Sequence, residues 1–245
     1  MKRVMLTVAY DGTNYCGWQI QSNGNTIEAE LNKHLSELLG EEIKVSGASR
    51  TDAGVHALCN LAVFDTNARM PGEKISYGLN QRLPEDIRIQ ESKEVDGDFH
   101  PRFTATKKTY EYRIYNSRFP NPVERLYSHF TYVPLNVDNM QRAAAFFVGE
   151  HDFKSFCAVG TQVESTIRTI YECTVEKNGP VICIRVSGNG FLYNMVRIIA
   201  GTLMEVGKGN LNPADVPTIL EERNRQSAGP TAPAKGLMLT AYEFV

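Results

Sequence analysis

The sequence predicts an α+β chain of two tandem ferredoxin-like β-α-β-β-α-β units, with antiparallel sheets that form a central cleft. Three observations lead there. The apolar periodicities over the first hundred residues run strand, helix, strand, strand, helix, strand. The same order recurs in the rest of the chain, without repetition of the sequence itself. The chain has 245 residues, 42% of them hydrophobic, which is enough for two small cores. The expected units are 1–104 and 105–245. Helices on one face of an antiparallel sheet leave its other face open, and two such faces side by side would line a cleft.

In the first unit, residues 3–10 are apolar and β-prone. Asp11-Gly12 and Gly17 then mark turns within YDGTNYCGWQ (10–19). Asn25 stands three residues before Glu28, a capping-box spacing. Ile27, Leu31, Leu35 and Leu38 share a helical face that ends at Gly40. A strand over 43–48 and an apolar strand over 58–64 flank the polar stretch GASRTDAGVHA (47–57). Pro71-Gly72 opens a helix to Leu83, which Pro84 stops. Ile87 and Ile89 alternate with Arg88 and Gln90 in the next strand.

The second unit opens with a strand over 109–115, with Tyr110, Tyr112 and Ile114 on one face. A Pro-containing excursion over 120–134 has room for an extra edge strand. Asp138 and Gln141 are expected to cap a helix that ends at Gly149. Strands 166–176 and 181–187 are joined at Asn178-Gly179, a hairpin signal. An apolar helix runs from Phe191 to Val206, a short helix from 214 to 223, and a closing strand from 237 to 244.

Bulk charge is balanced, with 26 Lys plus Arg against 28 Asp plus Glu. It does not announce a nucleic-acid binder, although a local basic stripe would suffice for one. Five cysteines form no CxxC pair, and Met1-Lys2-Arg3 runs straight into an apolar strand rather than a secretory leader. Both features suit reduced thiols in a cytoplasmic protein. No apolar run reaches the ~20 residues of a membrane span. The histidines are scattered, no HExxH or GxxxxGK[ST] pattern occurs, and Gly188-Asn189-Gly190 lacks the third glycine of a dinucleotide fingerprint. No metal is therefore expected.

Three features carry chemistry. The 47–57 loop holds Arg50, Thr51, Asp52 and His56 between two strands, where scaffolds display reactive groups. The competing reading makes Asp52 a turn-former beside a glycine and His56 a loop hydrogen-bonder. The stretch 102–119 carries Arg102, Lys107, Lys108, Arg113 and Arg118 against one acid, Glu111, with Phe103, Tyr110, Tyr112, Tyr115 and Phe119 interleaved. Such a mixture suits phosphates and stacked bases, and equally an amphipathic strand with solvated charges. Arg197 interrupts the apolar run FLYNMVRIIAGTLMEVG. It either snorkels out of the helix or meets an acid, for which Asp52 is a candidate.

YDGTNYCGWQ, SRTDAGVHA, LPEDI, FHPRFTATKKTYEYRIYN, DFKSF, FLYNMVRIIAG and TAPAKGL stand in an order that resembles the bacterial tRNA pseudouridine synthase A family. The resemblance spans Tyr10 to Leu237, and RTDAGVHA is its most specific part. It implies an isomerase that converts uridine to pseudouridine at positions 38–40, in the anticodon stem-loop of tRNA. It also implies a homodimer that uses no metal or cofactor. The family's catalytic aspartate falls on Asp52 and its base-stacking tyrosine on Tyr110. Its base-flipping arginine falls on Arg50, and the arginine paired with the aspartate on Arg197. Tyr193-Asn194 departs from relatives that carry two histidines there. Asp52 has three possible roles: attack at C1′ of the ribose, addition to C6 of the base, or assistance to departure through a glycal. A rival reading from another class is a non-catalytic RNA-binding protein of two RRM-like units. It would need stacking aromatics on strands 58–64 and 181–187, where Phe64 alone is aromatic.

Overall fold

The computed structural model describes residues 1–22, 24–160 and 163–245. They form a mixed α+β chain of mostly antiparallel strands, divided into two compact units. One comprises Met1–Thr106 with Leu239–Val245, the other Lys107–Met238.

The first unit contains β1 (Lys2–Tyr10), α1 (Ile27–Leu39), β2 (Ser46–Gly47), β3 (His56–Thr66), α2 (Gly72–Asn80) and β4 (Ile87–Val95). β1 lies between β4 and β3, antiparallel to both, and β2 pairs with β3. Val4, Leu6 and Val8 alternate along β1, and they are buried together with Leu31, Leu35, Ile75, Leu79 and Ile87. The opposite face is not left open. Met5, Leu61 and Val63 are also buried there, with Ala48, and Val95, Phe99 and Tyr242 pack on them.

Two local expectations shift. The cap of α1 is Thr26, not Asn25. Thr26 Oγ1 accepts from Ala29 N–H at 3.3 Å, while Asn25 turns to Glu30 and the Glu28 carboxylate accepts from Ile20 N–H. The strand expected over 43–48 shrinks to β2. Its earlier donors bond to α1 side chains instead of a ladder, Ile43 N–H to Ser36 Oγ and Val45 N–H to Asn32 Oδ1.

The second unit contains β5 (Thr106–Asn116), β6 (His129–Thr131), α3 (Val137–Ala145), β7 (Gly149–Asp152), β8 (Ile167–Asn178), β9 (Val181–Gly188), α4 (Met195–Lys208) and α5 (Val216–Glu222). The strand order is β5-β9-β8-β7, with β6 parallel to β5. The hairpin between β8 and β9 turns where expected, with Gly179 at φ 59°. Asn136, not Asp138, caps α3, and Gln141 instead accepts from Val175 N–H at 2.6 Å. Residues 149–152 form a strand where the sequence predicts only the end of a helix at Gly149, because their pairing with β8 is nonlocal. α4 begins four residues later than expected: Asn194 adopts φ 60°, ψ 8°, which a helix interior cannot contain. β10 (Leu237–Phe244) closes the chain, and from Leu239 onward it belongs to the first unit, beside β3.

Candidate active site

In the first unit, the 47–57 loop has no ladder of its own, so its backbone groups must find partners elsewhere. Ala48 N–H donates to Leu61 C=O at 2.8 Å, and Asn60 Nδ2 donates to Ser49 C=O at 2.9 Å. Trp18 N–H donates to Thr51 C=O at 3.1 Å, and Gly54 N–H to Tyr15 C=O at 3.3 Å. The Tyr10 and Thr51 hydroxyls lie 2.8 Å apart. Burial holds the Tyr10 phenol far above its ordinary range, so it remains a neutral hydrogen-bonder. Asp52 opens a turn whose Val55 N–H donates to the Asp52 carbonyl at 3.1 Å, with Gly54 at φ 77°. Positive φ at the third turn position is where glycine is needed.

The segment 10–19 is the buttress of this loop. A Cβ on Gly12 would lie 2.0 Å from Val55 O, and one on Gly17 would lie 2.5 Å from Thr51 O. No side chain fits either gap. Gly12 N–H also donates to His56 Nδ1 at 3.0 Å. The Asp11 carboxylate lies 3.1 Å from the same nitrogen and also accepts from Thr13 N–H and Oγ1. His56 is a loop hydrogen-bonder. Asp52 ends half-buried and Arg50 exposed. Arg50 has no hydrogen bond or ion pair among the described residues.

In the second unit, Tyr110 sits on β5 opposite Val186 of β9 and shares the buried face with Tyr112 and Ile114. Its ring meets Phe191 edge to face, 5.2 Å between centroids at 86°. Neighbouring charges are more balanced than the sequence stripe suggests. Glu111 accepts from Arg185 of β9 at 2.6 Å, and Arg113 lies 3.5 Å from Glu124. Linear order hid both pairs, because each partner comes from another element.

Arg197 is the third residue of α4, in its first turn rather than mid-helix. Nε donates to Ala232 C=O at 2.8 Å and Nη1 to Asn194 Oδ1 at 2.9 Å. Ala232 N–H returns a bond to Arg197 C=O at 3.1 Å. The Tyr112 hydroxyl donates to Pro233 C=O at 2.9 Å, so the TAPAKG segment grips both side chains. Asn194 and Ala232 were not among the expected site residues. The signal available was an asparagine directly before a helix and a proline-flanked alanine.

Asp52 and Arg50 thus lie in one unit, Tyr110 and Arg197 in the other. Among the described residues no group of three His, Cys, Asp or Glu side chains is placed to hold a metal ion. No helix among them is long and apolar enough to cross a membrane.

The family model described as tRNA pseudouridine synthase matches residues 6–104 and 143–244. The chain belongs to that family. It is 52% identical over 245 residues to the tRNA pseudouridine synthase A of Ruminiclostridium cellulolyticum, covering all of both chains. The enzymes of the same description from Acetivibrio thermocellus and Brevibacillus brevis are 48% and 47% identical, again over the full length of each.

Proposed function

We propose that this chain isomerises uridine to pseudouridine at positions 38–40 of the tRNA anticodon stem-loop, with Asp52 as its catalytic carboxylate. Tyr110, Arg50 and Arg197 are the substrate-binding residues. The reading includes a homodimer and two tandem ferredoxin-like units. Family membership makes the chain an isomerase acting on tRNA, which removes support from the non-catalytic RNA-binding alternative. The observation that carries the assignment of Asp52 is its setting. It is the sole carboxylate of a loop whose main chain is bonded on both sides to a glycine-built buttress.

The reaction breaks the N1–C1′ bond, rotates the base and forms a C5–C1′ bond. The C5 proton leaves to solvent and N1 regains one. The target base first leaves its stack, at a cost of about a few kcal/mol. Exposed Arg50 suits the vacated space or a flanking phosphate. A carboxylate can bond to C1′ or C6, or stabilise positive charge as the base departs. Arg197 brings a planar guanidinium with donors suited to the substrate, held by Ala232 C=O and Asn194 Oδ1. Tyr110 offers a flat face to the base. Glycoside hydrolysis uses two carboxylates, and this loop has one.

Asp52→Asn is the decisive variant. It keeps the size of the side chain, and the turn closes through the main chain, so folding and tRNA affinity are expected to persist. Tritium release from C5-labelled uridine in tRNA is expected to fall to the detection limit, because an amide is a poor nucleophile. Near-wild-type release would leave Asp52 a turn-former and end the assignment.

A further inference from the structure

Three locally unfavourable choices meet at residues 194–197. Asn194 has φ 60°, and among the described residues Arg223 is the one other non-glycine with positive φ. L-residues avoid that region, asparagine least among them. Asn194 also occupies the N-cap position of α4, yet its side chain caps no backbone N–H. Asparagine is among the best caps, and here its Oδ1 accepts from Arg197 Nη1 instead. Arg197 itself is a cation in the first turn, where the helix dipole favours anions. Each choice weakens the helix start. Together they accomplish one thing, which is to fix a guanidinium.

The second fixing point is anchored to α4 as well. Ala232 C=O accepts from Arg197 Nε, and the strap that carries it is held behind. Arg225 donates to Gly229 C=O at 2.9 Å and to Thr231 Oγ1 at 3.1 Å. Gly229 N–H donates to Thr202 Oγ1 at 2.9 Å. A Cβ on Gly201 would lie 1.7 Å from Pro230 O, so strap and helix touch backbone to backbone. Two acceptors on different edges of the guanidinium fix both its plane and its rotation.

We propose that Asn194 is a positioning residue for the reaction. Its amide, held by the left-handed backbone, sets the plane of the Arg197 guanidinium before tRNA arrives, with the Ala232 carbonyl as the opposite stop. This rests on the reading of Arg197 as a residue of the uridine site. Preset charged groups avoid reorganisation during reaction, so the effect falls on the chemical step more than on binding.

Asn194→Gly tests this, because glycine keeps the positive φ and removes the amide. The single-turnover rate at saturating enzyme is expected to fall roughly 10–100-fold, the range for a lost charged hydrogen bond. The tRNA Kd is expected to stay within about threefold and the thermal midpoint within about 3 °C, as suits an interaction that orients rather than binds. In an Arg197→Met background, where the donor is gone, Asn194→Gly is expected to add less than about twofold. A rate within twofold of wild type overturns the proposal, as does an equal loss in both backgrounds or an effect on Kd alone. A near-wild-type rate for Arg197→Met by itself fails in a different place: it removes the site assignment of Arg197, and the positioning role with it.

Discussion

The Asp52 loop and the start of α4 hold their charged residues by opposite means. The loop is fixed through its main chain: Thr51, Asp52, Gly54 and Val55 all exchange backbone bonds with each other or with the 10–19 buttress. Arg197 sits on a helix whose backbone satisfies itself, and the side chain is fixed by Asn194 and Ala232. The difference teaches where each region is fragile. The loop is expected to tolerate an isosteric change of side chain but not the addition of a methyl beneath it. The helix start is expected to be most sensitive to loss of a side-chain partner of Arg197.

The sharpest way to break this comparison is to add one methyl to each region. Gly12→Ala pushes on Val55 O, and the loop must move by an ångström or more to admit it. A displacement of about 1 Å can lower turnover by roughly 100-fold. Overpacking is expected to cost about 1–3 kcal/mol of stability as well. Gly201→Ala pushes on Pro230 O and disturbs the strap. It leaves the Asn194 bond in place, so a loss of about tenfold is expected, since one of two orienting bonds survives. Single-turnover rates on the folded fraction, with urea midpoints alongside, decide the order. Equal losses, or the reverse order, would mean that both regions are held in the same way.

Much of this was readable from the sequence, and what was not has physical causes. The 47–57 stretch is legible as a loop between two strands, but a polar loop there is most often a turn, and Asp52 stands out only through the resemblance of RTDAGVHA to a known family. Tyr110, Tyr112 and Ile114 showed their common face through period-two alternation. The role of YDGTNYCGWQ as a buttress was not readable, since a glycine needed for close approach looks like one needed for a turn. The position of Arg197 was misjudged because apolar residues run unbroken from Phe191 through Tyr193 and mask the left-handed break at Asn194. β7 was lost because GEHD carries no alternation, and its pairing with β8 is nonlocal.

The charges of the second unit sharpen the comparison next, with a smaller effect. Arg113 is paired with Glu124, so neutralising it releases little ordered counterion. Arg113→Gln is expected to change the salt slope of tRNA binding by less than half a unit. For Lys107→Gln and Lys108→Gln, a side chain that contacts one phosphate is expected to lower it by about 0.9 when lost. Titrations between about 50 and 200 mM salt read this directly. Three unchanged slopes would reduce the stripe to a solvated face.

The smallest expected effect uses the five free thiols as reporters of local opening. Burial pushes the Cys59 thiol up to about 11 and the Cys173 thiol up to about 12. The thiolate is the reactive form, so both are expected to alkylate slowly at pH 8 in the native protein. Their rates should rise about tenfold per pH unit until the native pKa is reached. The linkage has a definite sign. A thiol raised in the fold stays protonated where the unfolded chain has already lost its proton. Stability is therefore full below the unfolded value, and falls as pH climbs toward about 11 for Cys59. Cys59 lies on β3 beside Asn60, whose amide holds Ser49 of the loop, whereas Cys173 lies on β8. If Gly12→Ala displaces the loop, alkylation of Cys59 at pH 8 is expected to quicken severalfold while Cys173 keeps its native rate. Asn194→Gly, which removes a side-chain bond and moves no backbone, is expected to change neither. Peptide mapping by mass spectrometry reads both sites in one digest. A faster Cys173 in Gly12→Ala would mean that the methyl unfolds the chain globally, and the loop would then owe its position to the whole fold rather than to the buttress beneath it.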